Sequence, residues 1–189
     1  MEYTLDDKYK LIKEEVLKSK SKKPTEIVKS IMNMDFINIH GPEHHYLDGA
    51  SFLVAYNNAG GNIDLNKSLE MLAERTIKMP GAMCGHWGVC GSTTSVGASL
   101  SIIHEVSPLS SSNYYKENME YTSKVIQKMS RIGGPRCCKR NAFLSLSTAV
   151  EFVNDKYGVE MGLEDIICEF SSKNKQCIGL RCPYFKGNK

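Results

Sequence analysis

Apolar residues recur every three to four positions along almost all of this 189-residue chain, and glycine or proline interrupts each run. That spacing puts an apolar stripe on a succession of α-helices and leaves no stretch with the two-residue alternation of a strand. Leu5, Tyr9, Ile12 and Val16 mark a first helix. Pro24, suited to a first helical turn, opens a second that carries Ile27, Val28, Ile31 and Met32. A third runs from about His45 through Phe52, Leu53 and Tyr56 to a stop at Gly60-Gly61. Asp64 reads as the N-cap of a fourth, with Leu65, Leu69, Leu72 and Arg75-Ile77. Val96, Leu100 and Ile103 define a fifth after Gly91-Ser92. Tyr115, Met119, Thr122, Val125, Ile126 and Met129 define a sixth, stopped by Gly133-Gly134-Pro135. Ala142, Phe143, Leu146, Ala149, Val150 and Val153 define a seventh, stopped by Gly158, and Leu163, Ile166, Ile167 and Phe170 predict a short eighth.

The expectation is a mainly α-helical single domain, a bundle of about seven or eight helices with a cysteine-lined site at helix N-termini. Residues 1–23 read as a loosely attached leading helix and Lys-rich linker, 24–185 as a cysteine-rich helical domain, and 186–189 as a tail. Periodicity already fades from residue 171. The length suffices for one sizeable core. The net charge of +3 is too small to argue nucleic-acid binding, and much of it comes from Lys18, Lys20, Lys22 and Lys23, read as a solvated linker. No segment approaches the ~20 apolar residues of a membrane span, and the acidic, polar start lacks the layout of a secretory signal. A cytoplasmic protein with neither nucleic-acid nor membrane partner is expected.

In that compartment thiols stay reduced, so clustered cysteines read as metal or redox sites before disulfides. Six of the seven cysteines fall in three segments. These are Met83-Cys84-Gly85-His86-Trp87-Gly88-Val89-Cys90-Gly91, Gly133-Gly134-Pro135-Arg136-Cys137-Cys138-Lys139-Arg140, and Cys177-Ile178-Gly179-Leu180-Arg181-Cys182-Pro183. Glycine and basic neighbours are the wrong surroundings for core filler. Cys168, between Ile167 and Glu169 in an apolar run, reads as core instead. Cys90 precedes the fifth helix, and Cys137 and Cys138 start the seventh, where free N–H groups and the helix dipole stabilise thiolates. If those two helix starts lie side by side, their loops converge and the Cys177–Cys182 segment closes over them.

Four of Cys84, Cys90, Cys137, Cys138, Cys177 and Cys182 are therefore expected to hold an iron–sulfur cluster, most simply [4Fe–4S]. The proline after Cys182 accords with this, as it recurs after ligand cysteines in cluster-binding runs. Arg136, Lys139 and Arg140 would supply positive charge to the cluster or to an anionic small molecule, His86 would bond a thiolate, and Trp87 would cover the site. His40-Gly41-Pro42-Glu43-His44-His45 adds candidate proton-handling groups, with His44 and Glu43 foremost. Two alternatives remain open. One is a zinc-binding interaction module, against which the absence of any Cys-x2-Cys pair counts. The other is a cluster-free thiol enzyme with Cys137 or Cys138 as an acidic, exposed nucleophile among three cations. Phosphate-loop, dinucleotide-binding and radical-SAM signatures are absent.

The segments Pro80–Gly91 and Gly133–Arg140, with His40-Gly41-Pro42 and the Cys-x4-Cys-Pro run, resemble a cysteine-rich prokaryotic domain family of unknown function over roughly residues 38–185. That resemblance implies members that stand alone or are joined to radical-SAM or methyltransferase-like domains. A partner of that kind, supplied in trans, would give this chain a redox, sulfur-transfer or methyl-transfer-associated role.

Overall fold

The computed structural model describes residues 3–188. Met1, Glu2 and Lys189, the outermost residues of the expected leading segment and tail, lie outside them. Eight α-helices follow one another: α1 (Leu5–Lys18), α2 (Pro24–Met32), α3 (His44–Asn58), α4 (Leu65–Thr76), α5 (Met83–His86), α6 (Gly91–Ile103), α7 (Asn113–Ile132) and α8 (Cys138–Tyr157). Single 3₁₀ turns occupy Ser171–Lys173, Gly179–Arg181 and Lys186–Asn188. No strand occurs among the described residues; Cys168 and Phe185 form an isolated parallel bridge.

α3 is the axis. Every residue from His44 to Tyr56 is buried, as expected of a helix enclosed on all sides, and α1, α2, α4, α6 and α8 pack around it. α7 covers α6 and α8 from outside and buries only Tyr121 and Val125. The contact of α3 with α6 is unusually close because Gly49 has no side chain. A Cβ there would stand 2.6 Å from Ser95 Oγ and 2.7 Å from Ser99 Oγ. Instead the Gly49 N–H donates to Ser95 Oγ at 2.9 Å, and Ser99 Oγ donates to the Gly49 carbonyl at 3.3 Å. These bonds satisfy hydroxyls that burial would otherwise penalise.

Local signals fix most helix ends. Thr4 and Asp7 form a capping box at α1, Pro24 opens α2, and the Asp64 carboxylate accepts from the Lys67 N–H at α4. Gly133 and Gly158 end α7 and α8 at φ of 75° and 64°, a backbone that side chains rarely tolerate.

Three expectations are corrected. The leading helix is not loosely attached: α1 buries Tyr9, Ile12 and Val16 in the common core, and Tyr9 stacks on Tyr46 of α3 at 4.6 Å. No helix forms over 163–170. The Asn154 side chain holds the Met161 backbone through two bonds of 2.9 and 3.0 Å, and the Cys168 N–H donates to the Tyr184 carbonyl at 2.7 Å. Those pairings take up backbone groups that a helix would need, while Met161, Ile166 and Phe170 enter the core individually. Finally, the first cysteine segment contains the four-residue α5, too short to show any periodicity. No helix among the described residues is long and apolar enough to cross a membrane.

Candidate functional site: two cavities sharing one cysteine

Cys90 is the N-cap residue of α6 and Cys137 that of α8. The two helix starts lie side by side. Ser92 Oγ donates to the Asn141 carbonyl at 3.3 Å, and Asn141 Nδ2 donates to Cys90 Sγ at 3.3 Å. Cys137 Sγ accepts the Arg140 N–H at 3.4 Å, so the sulfur takes the place of the usual capping oxygen. The cysteines nevertheless do not gather in one place. They divide between two cavities, and Cys137 lines both.

The smaller cavity, of about 20 Å³, is lined by Cys137, Cys168, Cys177 and Cys182, with Phe143, Phe170 and Tyr184 among its apolar walls. The chain around it turns backbone amides toward sulfur. The Phe170 N–H donates to Cys168 Sγ and the Gly179 N–H to Cys177 Sγ, each at 3.4 Å. The Tyr184 amide stands in the corresponding place, two residues after Cys182, and favours its thiolate. Gly179 has φ of 55°, the left-handed conformation that lets its turn aim the N–H back at sulfur. Cys137 receives a second donor, Asn174 Nδ2, at 3.5 Å. Asn174 Oδ1 in turn accepts from the Gln176 N–H at 3.0 Å and lies 3.1 Å from His40 Nε2. Burial pushes the Cys168 and Cys182 thiols up; Cys137 and Cys177 reinforce this for both and Cys182 for Cys168, while the amides oppose it and Arg140 opposes it at Cys182.

The larger cavity, of about 280 Å³, is framed by the start of α3, the segment around α5 and the starts of α6 and α8. His40, His44, His45, Asp48, Cys84, Cys90 and Cys138 bring chemistry to it, and Arg136 and Asn141 complete the polar wall. His44 Nε2 lies 3.2 Å from the Asn38 carbonyl and 3.3 Å from Lys139 Nζ, and its Nδ1 is 3.6 Å from Asp48 Oδ1. Burial pulls the His45 imidazole down, keeping it neutral. Burial raises the Cys90 thiol and pushes Cys138 up to about 12. The acidic, exposed thiolate expected at Cys138 is therefore corrected: the side chain is largely desolvated, and Asp48, Cys90 and Cys137 all disfavour its charge.

Several singled-out residues serve the scaffold. Glu43 is 1% exposed, accepts the Asn38 N–H at 2.8 Å and Lys8 Nζ at 3.3 Å, and does not line either cavity. It ties α1 to the segment before α3. Burial raises its pKa, but its backbone hydrogen bonds, His44 and Lys8 outweigh this and hold the carboxylate below its ordinary range. Arg140 donates to the carbonyls of Gly133 and Pro135 at 3.1 and 3.0 Å and so fixes the turn ahead of α8. Lys139 is fully buried, donates to the Asn38 carbonyl at 2.9 Å and lies over the Phe170 ring at 5.0 Å. His86 is exposed and borders an outer groove. Trp87 is 70% exposed and covers neither cavity, because the short α5 turns it outward.

Cys168, Asp48, Asn141 and Asn174 are functional candidates that the sequence reasoning missed. Cys168 was hidden by its apolar neighbours, although two further cysteines follow it on the same aperiodic stretch. Asp48 is the one formally charged residue within α3, which was its signal. No group of three or more His, Cys, Asp and Glu side chains among the described residues is placed to hold a metal ion. No curated protein and no solved structure matches the sequence. A family model does match, from within α1 to beyond Cys182, and so takes in both cavities together with more of the N-terminal helices than the motifs alone implied. The chain belongs to DUF5714, a family of unknown function, whose model covers residues 12–185.

Proposed function

We propose that this chain is an iron–sulfur protein whose cluster, of the [4Fe–4S] type, is held by Cys137, Cys168, Cys177 and Cys182. Its role is electron or group transfer with a partner enzyme. The observation that carries this function is the ring of four sulfurs, each faced by N–H donors, around an apolar void. Such bonds stabilise thiolates and help to set cluster potentials. Four sulfurs at ~2.3 Å from a zinc ion stand about 3.8 Å apart. A cubane gives each thiolate its own iron and spreads the four further. When bound, the cluster supplies one-electron chemistry. The protein's part is to exclude water with Phe143, Phe170 and Tyr184 and to orient the sulfurs through Asn174 and the amides.

A single zinc ion is the second reading, favoured by the small size of the void. Anaerobic purification with iron, sulfide and zinc analysis tests both. The expected result is close to four irons and four sulfides per chain, with visible absorption, lost in Cys168→Ser and Cys177→Ser but retained in Cys84→Ser. One zinc without sulfide would select the second reading. A chain with neither metal after anaerobic reconstitution would remove both.

A further inference from the structure

The larger cavity needs an explanation of its own, because buried polar atoms on its wall lack hydrogen-bond partners. Asp48 is 0% exposed, and neither Oδ1 nor Oδ2 has a hydrogen-bond partner. A buried carboxylate left so costs several kcal/mol relative to one that is paired. The nearest cationic candidate, His44 Nδ1, stops at 3.6 Å and is itself without a hydrogen-bond partner. His45 Nδ1, beside it, is likewise buried and unpartnered. On the same cavity wall Arg136 is exposed, and it enters no hydrogen bond or ion pair among the described residues. The neighbouring basic groups hydrogen-bond elsewhere, Arg140 to the Gly133 and Pro135 carbonyls and Lys139 to the Asn38 carbonyl, and Lys139 acts on Asp48 only through its charge. One cavity is thus lined by a buried carboxylate that no hydrogen-bond donor reaches and by an exposed guanidinium with no carboxylate beside it.

We propose that this cavity binds a small zwitterion of the amino-acid class, its ammonium donating to Asp48 and its carboxylate accepting from Arg136. The buried carboxylate supplies the two acceptors that an ammonium group needs, and the planar guanidinium suits bidentate contact with a carboxylate. A ligand with negative charge alone would face Asp48 unpaired, and one with positive charge alone would leave Arg136 unused. The volume of about 280 Å³ lies near the lower end of ligand pockets, ~300–1,000 Å³. It suits a short side chain and excludes nucleotides and peptides. Cys90 and Cys138 line the same space, so the bound molecule lies beside two protonated thiols. Cys137, shared with the smaller cavity, is next to Cys138 in the chain. The zwitterion site itself uses no metal ligand and does not rest on the iron–sulfur proposal.

Isothermal titration calorimetry on the full chain, as purified anaerobically, tests this with glycine, L-serine, L-cysteine and β-alanine. Glycinamide (positive only) and acetate (negative only) are the matched controls. At least one zwitterion is expected to bind, and to do so at least tenfold more tightly than either control. Asp48→Asn and Arg136→Gln should each weaken that binding at least tenfold while leaving the metal content of the protein unchanged. Absence of binding by all four zwitterions, binding of a control as tight as theirs, or unchanged affinity in Arg136→Gln would overturn the proposal. Arg136 is exposed, so its variant remains decisive even if Asp48→Asn proves unstable.

Discussion

Two asparagines set the character of the two cavities at the scale of single residues. Asn141 Nδ2 donates to Cys90 and Asn174 Nδ2 to Cys137. Each is a neutral donor that orients a sulfur without adding charge. Asn174 also joins His40 and the Gln176 amide, so one side chain links the segment before α3, the start of α8 and the cysteine-rich segment after it. Outer-shell partners of this kind are worth roughly 10–100-fold in metal affinity. Asn174→Ala should therefore lose its metal to a chelator about that much more readily than the parent, measured as the chelator concentration at half removal; an unchanged midpoint would show that Asn174 only fills space. Neither asparagine is legible from sequence, because nothing local distinguishes an amide that bonds a buried sulfur from one at the surface. Cys168 was obscured for a different reason. Apolar flanking residues announce burial, and a residue buried against a core and one buried against other thiols have the same neighbours in the chain.

At the scale of elements, helix ends marked by specific chemistry were legible: the Pro24 start, the Asp64 cap, and the Gly133 and Gly158 stops. The apparent eighth helix shows where the method fails. Leu163, Ile166, Ile167 and Phe170 fall at helical spacing, yet Leu163 is 44% exposed while Ile166 and Phe170 are buried, which no single stripe would give. Four positions are too few to separate a face from coincidence, and the pairing of Cys168 with the Tyr184 and Phe185 region lies outside any local window. The α3–α6 crossing was equally invisible, since Gly49, Ser95 and Ser99 belong to separate segments. Gly49→Ala tests how firmly that crossing is set. Its methyl group would meet two hydroxyl oxygens at 2.6 and 2.7 Å, and overpacking of a filled core costs about 1–3 kcal/mol. Urea unfolding should show a loss of that size with no change in slope, although alanine is intrinsically the better helix former.

For the whole molecule, the core extends well beyond the proposed metal site. The core runs through α1–α4 and α6–α8 and meets that site at Phe143 and Phe170, whereas three of the four proposed ligands lie on non-helical chain. Metal removal should leave far-UV circular dichroism nearly unchanged while opening residues 168–185 to protease; collapse of the helical signal on chelation would show instead that the metal holds the bundle together. The pH dependence of that bundle has a marker in Tyr9, whose hydroxyl is pushed up to about 12, chiefly by burial. The unfolded chain ionises this tyrosine near pH 10 and the folded chain does not, so its stabilising effect is complete below pH 10 and is lost as pH rises to about 12. At ~1.4 kcal/mol per pKa unit, Tyr9→Phe should flatten the loss of stability between pH 10 and 12 by at most about 3 kcal/mol. An identical slope in the two proteins would show that Tyr9 ionises alike in both states.

The division of the four sulfurs along the chain also orders events in time. Cys137 is translated with the helical bundle, but Cys168, Cys177 and Cys182 follow only after α8. A ribosome-bound chain that has just completed its helices therefore carries one thiol of the set, already capping a helix, and offers no site to an ion. Loading of the proposed cluster would wait for the last three sulfurs to emerge and dock.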